Sequence, residues 1–231
     1  MMNETIVVGR KNCTVYTNPE PKYLLIQPAD ARELEFFEKE IEHIKSLTDA
    51  PFAFAAFEIT DWNNELSPWT APPVFGSETF GCGAAETLAY IEQHLIPEVS
   101  RRLSLDACAP VILGGYSLAA LFALWAGYIS DRFDAVAAAS PSVWFPGWLD
   151  FIGERTPAAE SIYLSLGLKE EKTRNRVMAT VGDNIRRQYE LLLSQDISCT
   201  LVWNEGNHFT VPALRTAKGF AWCVNTIDPH R

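Results

Sequence analysis

Residues 109–123, APVILGGYSLAALFA, decide the fold. An apolar β-type run, Val111-Ile112-Leu113, leads into Gly114-Gly115-Tyr116-Ser117, and an Ala/Leu-rich helical pattern begins at Leu118. The reading is a strand, a sharp turn and a helix, with a lone serine at the turn. A serine on so tight a turn holds a strained backbone, and the residues two before and two after it crowd each other. Both must be small, which Gly115 and Ala119 satisfy. No charge occurs from Ala109 to Ile129, 21 positions, a length that suits a membrane span. Pro110, the two glycines and Tyr116-Ser117 interrupt that run, and Asp106, Asp131 and Arg132 flank it. It therefore reads as a buried strand and helix.

Composition sets the outer limits. A chain of 231 residues with 48% hydrophobic content can bury a sizeable core, and one domain over residues 1–231 is expected. The net charge of −10 and the lack of a basic run argue against nucleic acid and anionic membranes. The start, MMNETIVVGRKN, lacks the apolar core of a signal peptide. Cys13, Cys82, Cys108, Cys199 and Cys223 are odd in number and form no CxxC pair. Five reduced thiols in a cytoplasmic protein are expected. No cofactor motif and no zinc-ligand spacing is present.

Along the chain, residues 5–10, 13–17, 22–27, 52–59, 134–139, 161–166 and 197–203 read as strands. Residues 31–47 place Leu34, Phe37, Ile41, Ile44 and Leu47 at three- and four-residue spacing, an amphipathic helix. Its acidic stretch 33–42 reads as a solvated face. Residues 84–103 suit a helix that Pro97 kinks or divides. Residues 174–195 suit another, carrying Val177, Val181, Ile185, Tyr189 and Leu192, and 211–227 suit a last one. Residues 60–83 and 140–150 are aromatic loops. Strands alternating with helices imply a mostly parallel sheet covered on both faces, with ligands at the carboxyl ends of its strands.

Three such ends carry reactive groups. A serine hydroxyl needs a base, and a histidine base needs an orienting acid. His43 and His94 sit in predicted helices among charges, and His230 is one residue from the end. His208, in NEGNHF after the strand TLVW, is the candidate base. The acid belongs between serine and histidine, after a strand, where GLKEE offers Glu170 and, as runner-up, Glu171.

Further pieces bring a family into view. They are DWNNELSPWTAP (61–72), FGCGAAETLAYIEQHLIPEV (80–99), GGYSLAALFALW (114–125), SPSVWFPGW (140–148), YLSLGLKEEKTRN (163–175) and EGNHF (205–209). In this order they resemble esterases of the α/β-hydrolase superfamily related to S-formylglutathione hydrolase (esterase D) and to siderophore-ester hydrolases. The resemblance implies the α/β-hydrolase fold, a three-layer α/β/α sandwich around a mostly parallel sheet. It implies Ser117 as nucleophile on the elbow and His208 as base. In that family the acid commonly ends a G-x-x-D motif. Here that place holds Glu170, one methylene longer, and the choice between Glu170 and Glu171 stays open. The resemblance also implies an oxyanion hole from the backbone N–H groups of Leu118 and Trp62.

The expected activity is hydrolysis of a small ester through an acyl-enzyme, with no cofactor and no metal. Ser117→Ala is expected to abolish it and Ser142→Ala to spare it. Trp62, Trp69 and Phe75 on one side, and Trp144, Phe145 and Trp148 on the other, are expected to wall the pocket. An acyltransferase or thioesterase would use the same residues, and an inactive hydrolase-like binding protein would share the fold. The oligomeric state cannot be read from the sequence.

Overall fold

A computed structural model describes residues 1–30 and 37–228. Residues 33–36 of the acidic stretch, Leu34 among them, and His230 lie outside the described residues; of the rest of that stretch Glu38, Lys39 and Glu42 are exposed, but Glu40 is buried.

The first two strands, β1 (Met2–Val8) and β2 (Lys11–Thr17), form an antiparallel hairpin. β3 (Tyr23–Ala29) follows, then α1 (Phe37–Leu47) and β4 (Phe52–Glu58). A short helix, α2 (Trp62–Glu65), starts the first aromatic loop. Helix α3 (Ala84–Tyr90) runs through a π-turn (Ile91–Leu95) into α4 (Ile96–Leu103). Pro97 has no N–H to donate and its ring crowds the carbonyl of Gln93. The wider turn just before it absorbs that conflict, so the helix neither stops nor divides. The remaining elements are β5 (Val111–Tyr116), α5 (Leu118–Ile129), β6 (Ala135–Ala139), α6 (Trp148–Gly153), β7 (Ser161–Gly167), α7 (Val181–Ser194), β8 (Ser198–Asn204) and α8 (Pro212–Thr226).

The sheet order is β1-β2-β4-β3-β5-β6-β7-β8. The pairings β1–β2 and β2–β4 are antiparallel and all others are parallel. Successive residues of the inner strands feed two separate cores. Leu24, Ile26, Phe57 and Leu113 join the layer containing α3 to α7, while Leu25, Phe54 and Ile112 join the layer of α1 and α8. Coverage of both faces explains why these strands are apolar throughout instead of alternating. Helix α5 is buried at every position but its last. Its lack of charge therefore reflects a central packing position, and among the described residues no helix is long and apolar enough to cross a membrane.

One helix begins later than its periodicity predicts. The side chain of Asn175 accepts from the N–H groups of Val177 and Met178. That local bonding competes with helix over 174–177, so α7 starts at Val181 and Val177 stands exposed.

Candidate active site

Ser117 lies between β5 and α5 with φ 59° and ψ −120°. Positive φ on a serine costs on the order of 1–3 kcal/mol, and the surrounding packing must enforce it. A Cβ on Gly115 would come within 2.8 Å of the Ala119 Cβ and 2.9 Å of the Ala119 carbonyl carbon. The small pair is thus what lets strand and helix meet at this angle.

Ser117 Oγ is 3.1 Å from His208 Nε2, and His208 Nδ1 is 2.7 Å from Glu170 Oε2. An ionised carboxylate only accepts, so Nδ1 carries the proton and the Nε2 lone pair faces the serine hydroxyl. The carboxyl ends of β5, β7 and β8 supply the three groups, which the sheet order brings to one rim.

The two adjacent glutamates have different fates. Residues 170–172 form a 3₁₀ turn that points Glu170 inward. Glu171 points outward and pairs with Arg186 Nη2 at 2.9 Å. Glu170 Oε1 accepts from the Gly167 N–H at 2.7 Å, Ser140 Oγ at 2.8 Å and Arg215 Nη1 at 2.9 Å. A Cβ on Gly167 would lie 2.8 Å from that same oxygen, so this position has room only for glycine. Burial by itself would raise the Glu170 pKa. The contacts from His208, Ser140 and the Gly167 N–H outweigh burial and hold the carboxyl below its ordinary value.

Arg215, on α8, is 0% exposed. Besides Glu170, its Nη1 donates to Tyr116 Oη at 3.1 Å and to Ser140 Oγ at 3.2 Å. Its Nη2 donates to the carbonyls of Glu205 and Asn207 at 2.8 and 3.0 Å. Tyr116 Oη in turn donates to the His208 carbonyl at 2.6 Å. One guanidinium therefore ties the acid to the loop that carries the histidine. Nothing in the sequence alone marks Arg215, Ser140 or Tyr116 as part of this network. The available signal was only an arginine within the apolar last helix, one turn before Gly219.

Leu118 and Trp62 each open a helix, where the backbone N–H has no acceptor within the helix. The loop before Trp62 is held by Glu65. Its Oε1 accepts from the N–H groups of Thr60 and Asp61 and from Thr60 Oγ1, each at 2.9 Å, and its Oε2 meets Lys11 Nζ. Burial pushes the Glu65 pKa up, and these contacts bring it below the ordinary value.

The aromatic loops divide. Trp144 lines a cavity of about 510 Å³ next to His208, together with Met178, Phe209, Lys169 and Lys172. Phe75 packs edge-on against Trp144. Trp69 and Phe145 do not line that cavity. They pack on each other at 5.8 Å in an aromatic cluster, with Trp69 Nε1 donating to the Pro146 carbonyl. Trp148 is buried and donates to Gln188 Oε1. Ser142 is no independent control for Ser117, since its Oγ lies only 3.4 Å from the Ser117 Oγ. His94 is exposed and His43 half-buried. All five cysteines are unpaired, and among the described residues no cluster of His, Cys, Asp or Glu could hold a metal ion.

No protein-family model and no curated protein matches the chain, but solved structures do. The siderophore hydrolase EstA from Aspergillus nidulans superposes with a TM-score of 0.75 at 20% identity, over 98% of this chain and 95% of that one. EstB, a siderophore hydrolase from the same organism, gives 0.74 at 18%, over 96% and 94%. An IroE-like serine hydrolase from Shewanella oneidensis gives 0.73 at 15%, over 96% and 79%. At such identities the likeness is one of fold, and the chain has the α/β-hydrolase fold.

Proposed function

We propose that this protein, acting as one domain over residues 1–231, is a serine hydrolase that cleaves a small carboxylic ester through an acyl-enzyme. The observation that carries the reading is the unbroken chain from Ser117 Oγ through the His208 ring to Glu170 Oε2, at 3.1 and 2.7 Å, on a strained elbow. A strained serine next to an imidazole has little structural use, whereas a partly exposed nucleophile next to a base has a chemical one.

In this reading Ser117 attacks the ester carbonyl and His208 Nε2 takes the hydroxyl proton. The oxyanion that forms is held by the Leu118 and Trp62 N–H groups. His208 then gives its proton to the departing alcohol oxygen as the C–O bond breaks. Water, deprotonated by the same nitrogen, adds to the acyl-enzyme, and the carboxylic acid leaves as Ser117 regains its proton. Glu170 fixes the imidazole tautomer and stabilises the imidazolium. That the neighbours of like fold are named siderophore hydrolases and a serine hydrolase supports a hydrolytic reaction. The five unpaired cysteines fit a cytoplasmic location.

The test is release of p-nitrophenol from p-nitrophenyl acetate. Wild type is expected to turn over, and Ser117→Ala to lose roughly 10⁴-fold or more in kcat. Turnover undiminished in Ser117→Ala would overturn the reading.

A further inference from the structure

The mechanism fixes which half of the ester meets the cavity beside His208. The leaving oxygen must reach Nε2 to be protonated, so the alcohol half lies on the histidine side of Ser117. The cavity is on that side: His208 and Phe209 line it from the β8 loop, and Lys169, Glu170 and Lys172 from the β7 turn. Its volume of about 510 Å³ falls within the usual range for a small-molecule site.

Its chemistry is mixed. Trp144, Met178 and the strongly exposed Phe209, 84% accessible, offer apolar surface suited to a flat ring. The charge is lopsided. Glu170 is the one carboxylate on the lining, and Arg215 and His208 occupy its two oxygens. Lys169 and Lys172 also line the cavity, and among the described residues neither ammonium has an ion-pair partner. The segment they belong to, residues 169–176, KEEKTRNR, sets Lys169, Lys172, Arg174 and Arg176 against Glu170 and Glu171, both of which are already paired, in a chain of net charge −10. An acidic protein that concentrates unpaired cations at its proposed leaving-group cavity is selecting for negative charge.

We infer that the cavity between the β7 turn and the His208 loop is the alcohol-side subsite and takes an aromatic alcohol bearing an anionic group, with Lys169 and Lys172 as the anion's partners. This rests on the ester-hydrolase reading. Phe209 and Trp144 then flank the ring, while the lysines hold the anion at the cavity mouth.

The experiment compares 3-acetoxybenzoate with 3-acetoxybenzamide, which share an acetyl group and an aryl body but differ in charge. Each rate is divided by the rate of hydroxide hydrolysis. Wild type is expected to favour the carboxylate by about tenfold in kcat/KM at low salt, the scale of two partly solvated ion pairs. The preference should shrink as salt is added and fall to near one in the Lys169→Gln/Lys172→Gln double variant. Equal kcat/KM for the two esters in wild type, or a preference that survives the double substitution, would overturn the inference. A second arm needs no turnover: calorimetric binding of the products to Ser117→Ala. There 3-hydroxybenzoate should bind more tightly than 3-hydroxybenzamide, with the difference lost when both lysines are glutamine. Binding selectivity without Ser117-dependent hydrolysis would sink the enzymatic reading and leave standing only a cavity that binds an aromatic anion. Hydrolysis without selectivity would do the reverse.

Discussion

Glu65 and Glu170 each hold a loop at the carboxyl edge of the sheet, in different media and with their oxygens used differently. Glu65 is partly solvated, and both its oxygens are used up locally, one by Thr60 and Asp61 and the other by Lys11. Glu170 is buried and divides its labour. Oε1 takes Arg215, Ser140 and the Gly167 N–H, which leaves Oε2 to His208 alone. A carboxylate that anchors a loop with both oxygens is structural. One that is pinned through a single oxygen, with the other aimed at an imidazole, is placed where it can orient that ring.

The strongest way to break this contrast is to neutralise each carboxylate in turn. Glu170→Gln keeps the volume, removes the charge and puts an amide opposite Nδ1, favouring the wrong tautomer. Its kcat on p-nitrophenyl acetate is expected to fall by roughly 10³–10⁴. A fall of less than about tenfold would mean that the pair Ser117–His208 works without its acid.

Arg215→Met comes next, because it leaves Glu170 buried with its main counter-charge gone. Breaking such a pair from one side costs about 3–5 kcal/mol. Lys11→Met, on the solvated side of the comparison, should cost about 1 kcal/mol or less. Urea titrations of the two variants measure the gap, and similar losses would erase the distinction between them.

Acid sharpens the same contrast. The Glu170 pKa is lowered on folding from an ordinary 4.5. The unfolded chain therefore binds the proton first as pH falls. The stability this group contributes is full above about pH 4.5 and drains away as pH drops through its lower folded value. Wild type should lose stability over that interval. Glu170→Gln, which has no such proton to bind, should show a shallower acid slope in denaturation experiments. Identical slopes would contradict the lowered pKa.

Smaller effects are expected at the other carboxylates. Glu65→Gln should cost about 1–2 kcal/mol, by loosening several hydrogen bonds to Thr60 and Asp61. Glu171→Gln, which removes an exposed pair with Arg186, should cost less than about 1 kcal/mol and leave kcat within about twofold.

The elbow was legible because its constraint is local: small residues at 115 and 119 are forced by the turn at 117. His208 followed from its place after a strand. The choice between Glu170 and Glu171 was not legible, since it depends on the phase of a single 3₁₀ turn. Arg215 was hidden by the general expectation that charges face water, and only the tertiary fold supplies its acceptors. The aromatic loops misled in part. Trp69, Phe145 and Trp148 have the composition of a pocket wall, but Phe145 and Trp148 are buried in the core and Trp69 packs against it, with both indole N–H groups finding protein acceptors. Asn175 bonds to nearby backbone and delays a helix that hydrophobic spacing alone starts too early.

The central claim is that the hydroxyl at 117 is activated by its two partners, and covalent labelling reads this directly. A fluorophosphonate probe should modify wild type at one site, identified by peptide mass as Ser117, and labelling should collapse in His208→Gln and slow sharply in Glu170→Gln. Labelling that persists in Ser117→Ala, or that proceeds at the wild-type rate without His208, would contradict the account.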